Sequence, residues 1–271
     1  MDNNLVYHYC STEVFLKILS GRKLRISDIR RSNDSEEIKF LFEKYLEEKK
    51  AEGEKAYLAV KGCDFIFREA LKQETVFALS FSDKRDLLSQ WRGYAPDGGV
   101  AIGFDRNELK SWAEKIISLG ETAKFKNVEY YKKDDKRLKE ILKKFNDPFW
   151  CNNYKNILKV APLIKLDGFK EESEWRIYFN GFTFSEGQPL PLVNYENGQI
   201  EEECELGKNG KVKFFYSIPF SADMIKEILI SPKGGISVED MKGAIACFWE
   251  DLGKNVAAGK TEINVSELSY R

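Results

Sequence analysis

An α+β fold, with a mixed and mainly antiparallel sheet flanked by helices, is predicted by three observations. Short apolar strand patterns recur along the chain, most clearly at 75–82 (TVFALSFS). Stretches with apolar residues at helical period lie between them. The two kinds alternate without regular strand–helix–strand spacing, which argues against a doubly wound parallel sheet. The 271 residues are 42% hydrophobic and 13% aromatic, enough for one sizeable core. The expectation is one domain over 1–271, with a helical insertion around 134–166.

The elements follow in order. Residues 5–10 (LVYHYC) form a first strand. Ser11 or Thr12 caps a helix with Val14, Phe15, Ile18 and Leu19 on its apolar face, and Gly21 stops it where a left-handed residue is wanted. Residues 23–27 are a second strand and 28–34 a polar loop. A helix with Ile38, Leu41, Phe42, Tyr45 and Leu46 on one face follows. The charge run at 47–54 reads as a solvated helix end, and 56–73 as helical.

After the strand at 75–82 come a helical turn at 86–94, a tight turn at 96–99 and a buried strand at 100–104. A helix at 107–119 and a strand at 124–131 are next. Residues 134–166 are mainly helical, interrupted near Pro148. Residues 174–179 (EWRIYF) alternate as a strand does. Residues 186–210 form a hairpin or loop, 211–218 and 227–231 are strands, 237–252 is a capped amphipathic helix, and 262–266 closes the sheet.

Composition removes several function classes. The net charge is -1, so any contact with nucleic acid needs a local basic patch. The basic run over 132–144 is interleaved with acids and reads first as a solvated helix face. No apolar stretch is long enough for a membrane span, and the N-terminus lacks a secretory signal. Five scattered cysteines suit free thiols in a reducing, cytoplasmic compartment. The single histidine, His8, makes zinc or a hydrolase triad a poor fit.

Three polar segments can carry chemistry. The first is Tyr7-His8-Tyr9-Cys10-Ser11, where a strand-borne imidazole can bond a ribose hydroxyl and Ser11 opens a helix; the plainer reading is a structural histidine. The second joins Ser80 and Ser82 to Gln90-Trp91-Arg92-Gly93-Tyr94 and the glycines at 98, 99 and 103. Its aromatic rings could stack on a flat ligand and its glycines permit close backbone approach, or the segment is an aromatic core with a turn. The third is Glu172, Glu174 and Arg176. Two carboxylates on one face raise each other's pKa and suit hydrogen bonding to a sugar, or the segment is a strand end with an ion pair. Trp112, Trp150 and Trp249 fall on apolar helical faces and read as core.

In order, these motifs resemble an uncharacterised bacterial family, a domain of unknown function found near phage-defence genes. They are Tyr-His-Tyr-(Cys)-Ser, Leu-Arg-Ile-Ser-Asp with Asn33-Asp34, Phe-Ala-Leu-Ser-Phe-Ser, Gln-Trp-x-x-Tyr-Ala…Gly-x-x-x-Gly-Phe, and Lys165 before Phe169-x-x-Glu-x-Glu-Trp-Arg. The resemblance runs from about residue 5 to about 235, and Cys10 departs from the expected Thr.

That family in turn resembles ADP-ribosyltransferases, through the order of His8, Ser80/Ser82 with Tyr94, and Glu172/Glu174. The resemblance implies an ADP-ribosyltransferase-like fold and NAD as substrate. Glu174, Glu172 and His8 would be catalytic, and His8, Ser11, Ser80, Ser82, Trp91, Tyr94 and Arg176 would bind NAD, with Trp91 or Tyr94 stacked on nicotinamide. A protein or nucleic acid would accept ADP-ribose, in a toxin or anti-phage role with a partner protein or antitoxin. The alternatives are a nucleotide-sensing module without turnover, or a nuclease or phosphotransferase using Asp34 and the Glu pair on a divalent metal.

Overall fold

The computed structural model describes residues 4–29, 35–61, 74–118, 120–145, 150–182, 193–196, 198–206, 210 and 212–269. The helices are α1 (Thr12–Gly21), α2 (Ser35–Glu52), α3 (Glu54–Lys61), α4 (Leu88–Tyr94), α5 (Arg106–Glu114), α6 (Lys136–Lys143), α7 (Trp150–Val160), α8 (Val238–Phe248) and α9 (Glu250–Ala257). The first strands are β1 (Leu5–Ser11), β2 (Lys23–Asp28), β3 (Glu74–Ser82), β4 (Gly99–Asp105), β5 (Ile116–Ser118), β6 (Glu121–Thr122), β7 (Lys124–Asn127), β8 (Glu129–Tyr131) and β9 (Ile164–Leu166). They continue with β10 (Glu174–Phe182), β11 (Val193–Tyr195), β12 (Gly198–Ile200), β13 (Glu202–Leu206), β14 (Val212–Pro219), β15 (Ile225–Ile230) and β16 (Glu262–Val265).

The fold is α+β. A ten-stranded sheet runs β13-β14-β2-β3-β1-β4-β15-β16, with β10 also on β3 and β7 on β10. Its pairings are antiparallel except that of β15 with β16.

β3 is the spine. One of its edges pairs with β10 over its whole length, from Glu174↔Ser82 to Phe182↔Glu74. Its other edge is shared by two strands. β1 meets it at Tyr7↔Ser82 alone, and β2 at Ser27↔Ala78 and Asp28↔Phe77. Between these contacts, residues 79–81 have no strand partner on that edge, so the sheet splits there. The short β1–α1–β2 connection spreads the two strands apart and sets α1 beside the gap.

Each face of the sheet is covered. One core gathers Val6, Leu24, Phe77, Phe81, Phe104 and Ile177 under α1, α5, α8 and α9. Val76, Ala78 and Tyr178 on the opposite face pack with α2, α6 and α7. A third cluster seats α4 on β1 through Trp91 and Tyr9, whose rings meet edge-on at 4.7 Å.

Several boundaries differ from the sequence reading, each for a local reason. The left-handed residue that ends α1 is Arg22 (φ 54), one position past Gly21, and its N–H caps Ile18 O. The expected helix 107–119 stops at Glu114, because Ile116 and Ile117 are β-branched and pair with β11. Residues 124–131 divide into β7 and β8, which join different sheets. Residues 237–252 break at Trp249 (φ −144), whose ring turns in to meet Phe220 edge-on at 5.2 Å. The charge run 47–54 is not wholly solvated, since Lys49 is buried and paired with Glu52.

Trp112 and Trp249 are core, as expected, while the side chain of Trp150 lies outside the described residues, as do Asn33, Asp34 and Pro148. Lys132, Lys133, Lys136 and Arg137 are exposed beside the buried Leu138 and Leu142, the solvated face expected. Among the described residues no helix is long and apolar enough to cross a membrane.

Candidate functional site

The split in the sheet opens into a cavity of about 840 Å³, within the range of small-molecule sites. Its inner end is built around Ser80. This residue lies between Ala78, which pairs with β2, and Ser82, which pairs with β1, so its carbonyl is left without a strand partner. The His8 imidazole fills that vacancy, with Nδ1 3.0 Å from Ser80 O. A carbonyl only accepts, so Nδ1 carries the proton and Nε2 of the neutral ring presents a lone pair. That bond is the one hydrogen bond of the His8 ring among the described residues, and His8 lines the cavity.

Burial pushes the His8 pKa below 6.5, opposed in part by the Ser80 carbonyl. A depressed folded value means that the unfolded chain binds the proton more readily. Stability is therefore full above pH 6.5 and falls as pH drops from there through the lower folded value. His8→Asn should flatten that slope. The check is urea unfolding at several pH values between 7 and 5, where the lone histidine is the only side chain with an ordinary pKa. A wild-type slope no steeper than that of the variant would contradict the assignment.

The same Ser80 holds the acidic end. Its side chain lies next to the Glu174 carboxylate, diagonally across the β3–β10 ladder, and helps to hold that carboxyl ionised, so His8 and Glu174 share one neighbour. Glu172 is not on the strand. It ends a 3₁₀ turn, and Ser173 in the left-handed region (φ 44) swings the chain into β10. Both carboxylates nevertheless meet at Lys165, whose Nζ lies 2.8 Å from Glu172 and 2.9 Å from Glu174. Arg176 grips Glu174 with two parallel bonds of 2.6 and 3.0 Å.

The expected mutual raising of two carboxylate pKa values is overturned at Glu174. Burial alone would raise it, but the Arg176 and Lys165 charges and the bonds from Arg176 and Ser80 hold it below the usual range. Glu174 is a fixed anion and a weak base. Glu172 differs: one of its oxygens takes Lys165, and the other has no partner among the described residues.

The third wall is α4. Trp91 and Ala95 face the core, so Gln90, Gly93 and Tyr94 form the opposite stripe and line the cavity. Tyr94 is half exposed. At the outer end, β2 and β14 contribute Lys23, Arg25, Lys213 and Ser217. Arg25 is paired with Glu205 at 2.6 Å, while Lys23 and Lys213 have no carboxylate partner among the described residues.

The cavity thus gathers His8, Ser80, Ser82, Tyr94, Glu172 and Glu174. It does not gather the other three expected residues. Trp91 is sealed in the core and donates its indole N–H to Asp86 at 2.6 Å, so it offers no ring face to a ligand. Arg176 is fully buried, bound to Glu174 and to Pro162 O, and acts through Glu174. The Ser11 hydroxyl caps α1 by accepting from Val14 N. Ser82 is also committed, bridging Glu172 O and Lys84 N. The glycines expected to let a ligand approach instead let the chain approach itself: Gly98 lies against Gly234, Gly99 against Cys10 and Gly103 against Tyr7.

Two residues with a claim on the site were not singled out as site residues from the sequence, Lys165 and Gln90. A lone Lys in an Ile-Lys-Leu strand carries no signal, because its two partners come from seven and nine residues further on. Among the described residues, no group of three or more His, Cys, Asp or Glu side chains is arranged to hold a metal. Asp34 lies outside them.

Residues 90–177 match the family model Protein of unknown function (DUF2971). The DUF2971 segment opens at Gln90, runs through Lys165 and Glu172, and ends one residue past Arg176. It holds the α4 wall and the acidic end, while His8 and Ser80 precede it. No curated protein and no solved structure matches the chain.

Proposed function

We propose that the chain binds NAD in the split of its sheet and transfers the ADP-ribose to a macromolecular acceptor. The observation that carries this reading is that the single imidazole, bonded to Ser80 O, and the buried, ionised Glu174 carboxylate line one 840 Å³ cavity. His8 Nε2 accepts from a ribose hydroxyl. Glu174 supplies fixed negative charge beside the anomeric carbon as the bond to nicotinamide breaks and the leaving nitrogen keeps the electron pair. An ion already held in place needs no reorganisation when positive charge develops. The free oxygen of Glu172 takes the proton that the acceptor nucleophile gives up as it bonds to that carbon. Lys23 and Lys213 suit the pyrophosphate at the outer end. A toxin or anti-phage role, with a protective partner, would be consistent with such an activity.

The test is incubation of the protein and a cell lysate with NAD labelled in the adenylate half. Label should pass to macromolecules, and Glu174→Gln should cut transfer by roughly 100-fold or more, the usual effect of removing one preorganised electrostatic group. Absence of both NAD binding and transfer sinks the reading. A second reading is a nucleotide sensor without turnover. It is favoured by the three side chains, Arg176, Lys165 and Ser80, that already engage Glu174. It predicts NAD recovered intact and unlabelled acceptor.

A further inference from the structure

Gln90 is a polar side chain of the cavity that the fold leaves without work. Gln90 is 8% exposed, and a primary amide buried to that degree normally finds partners. Its amide makes no hydrogen bond among the described residues. Neither amide atom is sealed off in the way that Ser89 Oγ and Asn180 Oδ1 are, and Gln90 lines the cavity. The neighbouring groups define what it could meet. Tyr94 is one helical turn on along the same stripe, half exposed and flat, and Gly93 between them leaves the approach clear, with nothing within 4 Å of a Cβ built there. A donor and an acceptor side by side, next to an aromatic face, match the edge and face of one planar ring.

We propose that Gln90 is the group that reads the ring of the ligand, its amide pairing with an adjoining donor and acceptor on the edge of a heterocycle stacked against Tyr94. This rests on the NAD reading for the ligand and adds which part is selected. NAD has two edges of that chemistry, the amino group and N7 of adenine and the carboxamide of nicotinamide. A glutamine pairs with the first in two parallel bonds, and an amide pairs with an amide in the same way.

The experiment is calorimetric titration of wild type, Gln90→Leu and Gln90→Glu with NAD, AMP and nicotinamide mononucleotide, beside urea unfolding of all three proteins. Since the Gln90 amide has no partner to lose among the described residues, Gln90→Leu should unfold at the same or higher urea. It should bind NAD roughly 10- to 100-fold more weakly, the usual worth of a bidentate contact. Gln90→Glu, which loses the donor, should bind at least as poorly. The loss recurs with AMP if adenine is read, and with nicotinamide mononucleotide if the carboxamide is read. Equal NAD affinity in wild type and Gln90→Leu, or a large loss of stability in Gln90→Leu, overturns the proposal and leaves the NAD reading standing. A wild type that ignores NAD but binds AMP through Gln90 does the reverse. Binding of none of the three overturns both.

Discussion

Arg176→Leu is expected to lower folding stability by about 3–5 kcal/mol at pH 7, the range seen when one partner of a buried ion pair is removed. Arg176 is fully buried and Glu174 is 6% exposed. Their two parallel bonds leave little solvent to take over when the guanidinium goes. The Pro162 carbonyl loses its donor as well. Lys165 stays within 2.9 Å of Glu174 and limits the damage without cancelling it.

The pH dependence identifies the cause. In the wild type the Glu174 pKa is below its ordinary 4.5, so its contribution is full above that value and is lost as pH falls through the folded one. In Arg176→Leu the main charge opposing burial is gone, the folded pKa rises, and the variant takes up a proton on folding. The stability gap should therefore narrow from pH 7 to pH 5. Glu174→Leu/Arg176→Leu should regain more than half of it, because no uncompensated charge remains. Urea midpoints at the two pH values decide it; a gap of constant size, with no recovery in the double variant, would show that packing and not charge sets the cost.

How much of this was legible beforehand depends on the distance over which a residue's environment is set. β1, β3, β4 and β10 were readable because alternation or an unbroken apolar run is a local signal, and so was the capped start of α1. That His8 and Glu174 share a cavity was an expectation from the order of motifs, and no local pattern contains it. It depends on β1 meeting β3 at one register point and then leaving it. Trp91 shows the opposite limit. Its neighbours Gln90 and Tyr94 line the cavity, and only the phase of a seven-residue helix sends the indole to Asp86 instead. The two carboxylates misled for the same reason: charge repulsion between them was visible in the sequence, while the position of Lys165 between them was not. The likeness to ADP-ribosyltransferases is a matter of residue order alone, and no solved structure matches the chain.

Gly99→Ala is the second change with a large expected effect. A Cβ at Gly99 would lie 2.1 Å from Cys10 O, 2.9 Å from Ala95 Cβ and 2.9 Å from Ser11 Cα. Two of these contacts are to backbone, which cannot rotate away, and Gly99 is fixed in register opposite Ser11. Either β4 or the end of β1 must move. Overpacking usually costs about 1–3 kcal/mol, and a clash with main chain belongs at or above the top of that range. For a chain of this size, 3 kcal/mol corresponds to a fall in Tm of roughly 6–12 °C. The end of β1 also carries the Ser11 cap and launches α1, so the movement reaches a wall of the cavity. Gly93→Ala is the control, since a Cβ there meets nothing within 4 Å and a helical alanine gains about 0.5–1 kcal/mol over glycine. Thermal melts should therefore shift in opposite directions. A Gly99→Ala protein melting with the wild type would mean that β1 and β4 do not approach this closely, and that the opening between β1 and β3 is not held from that side.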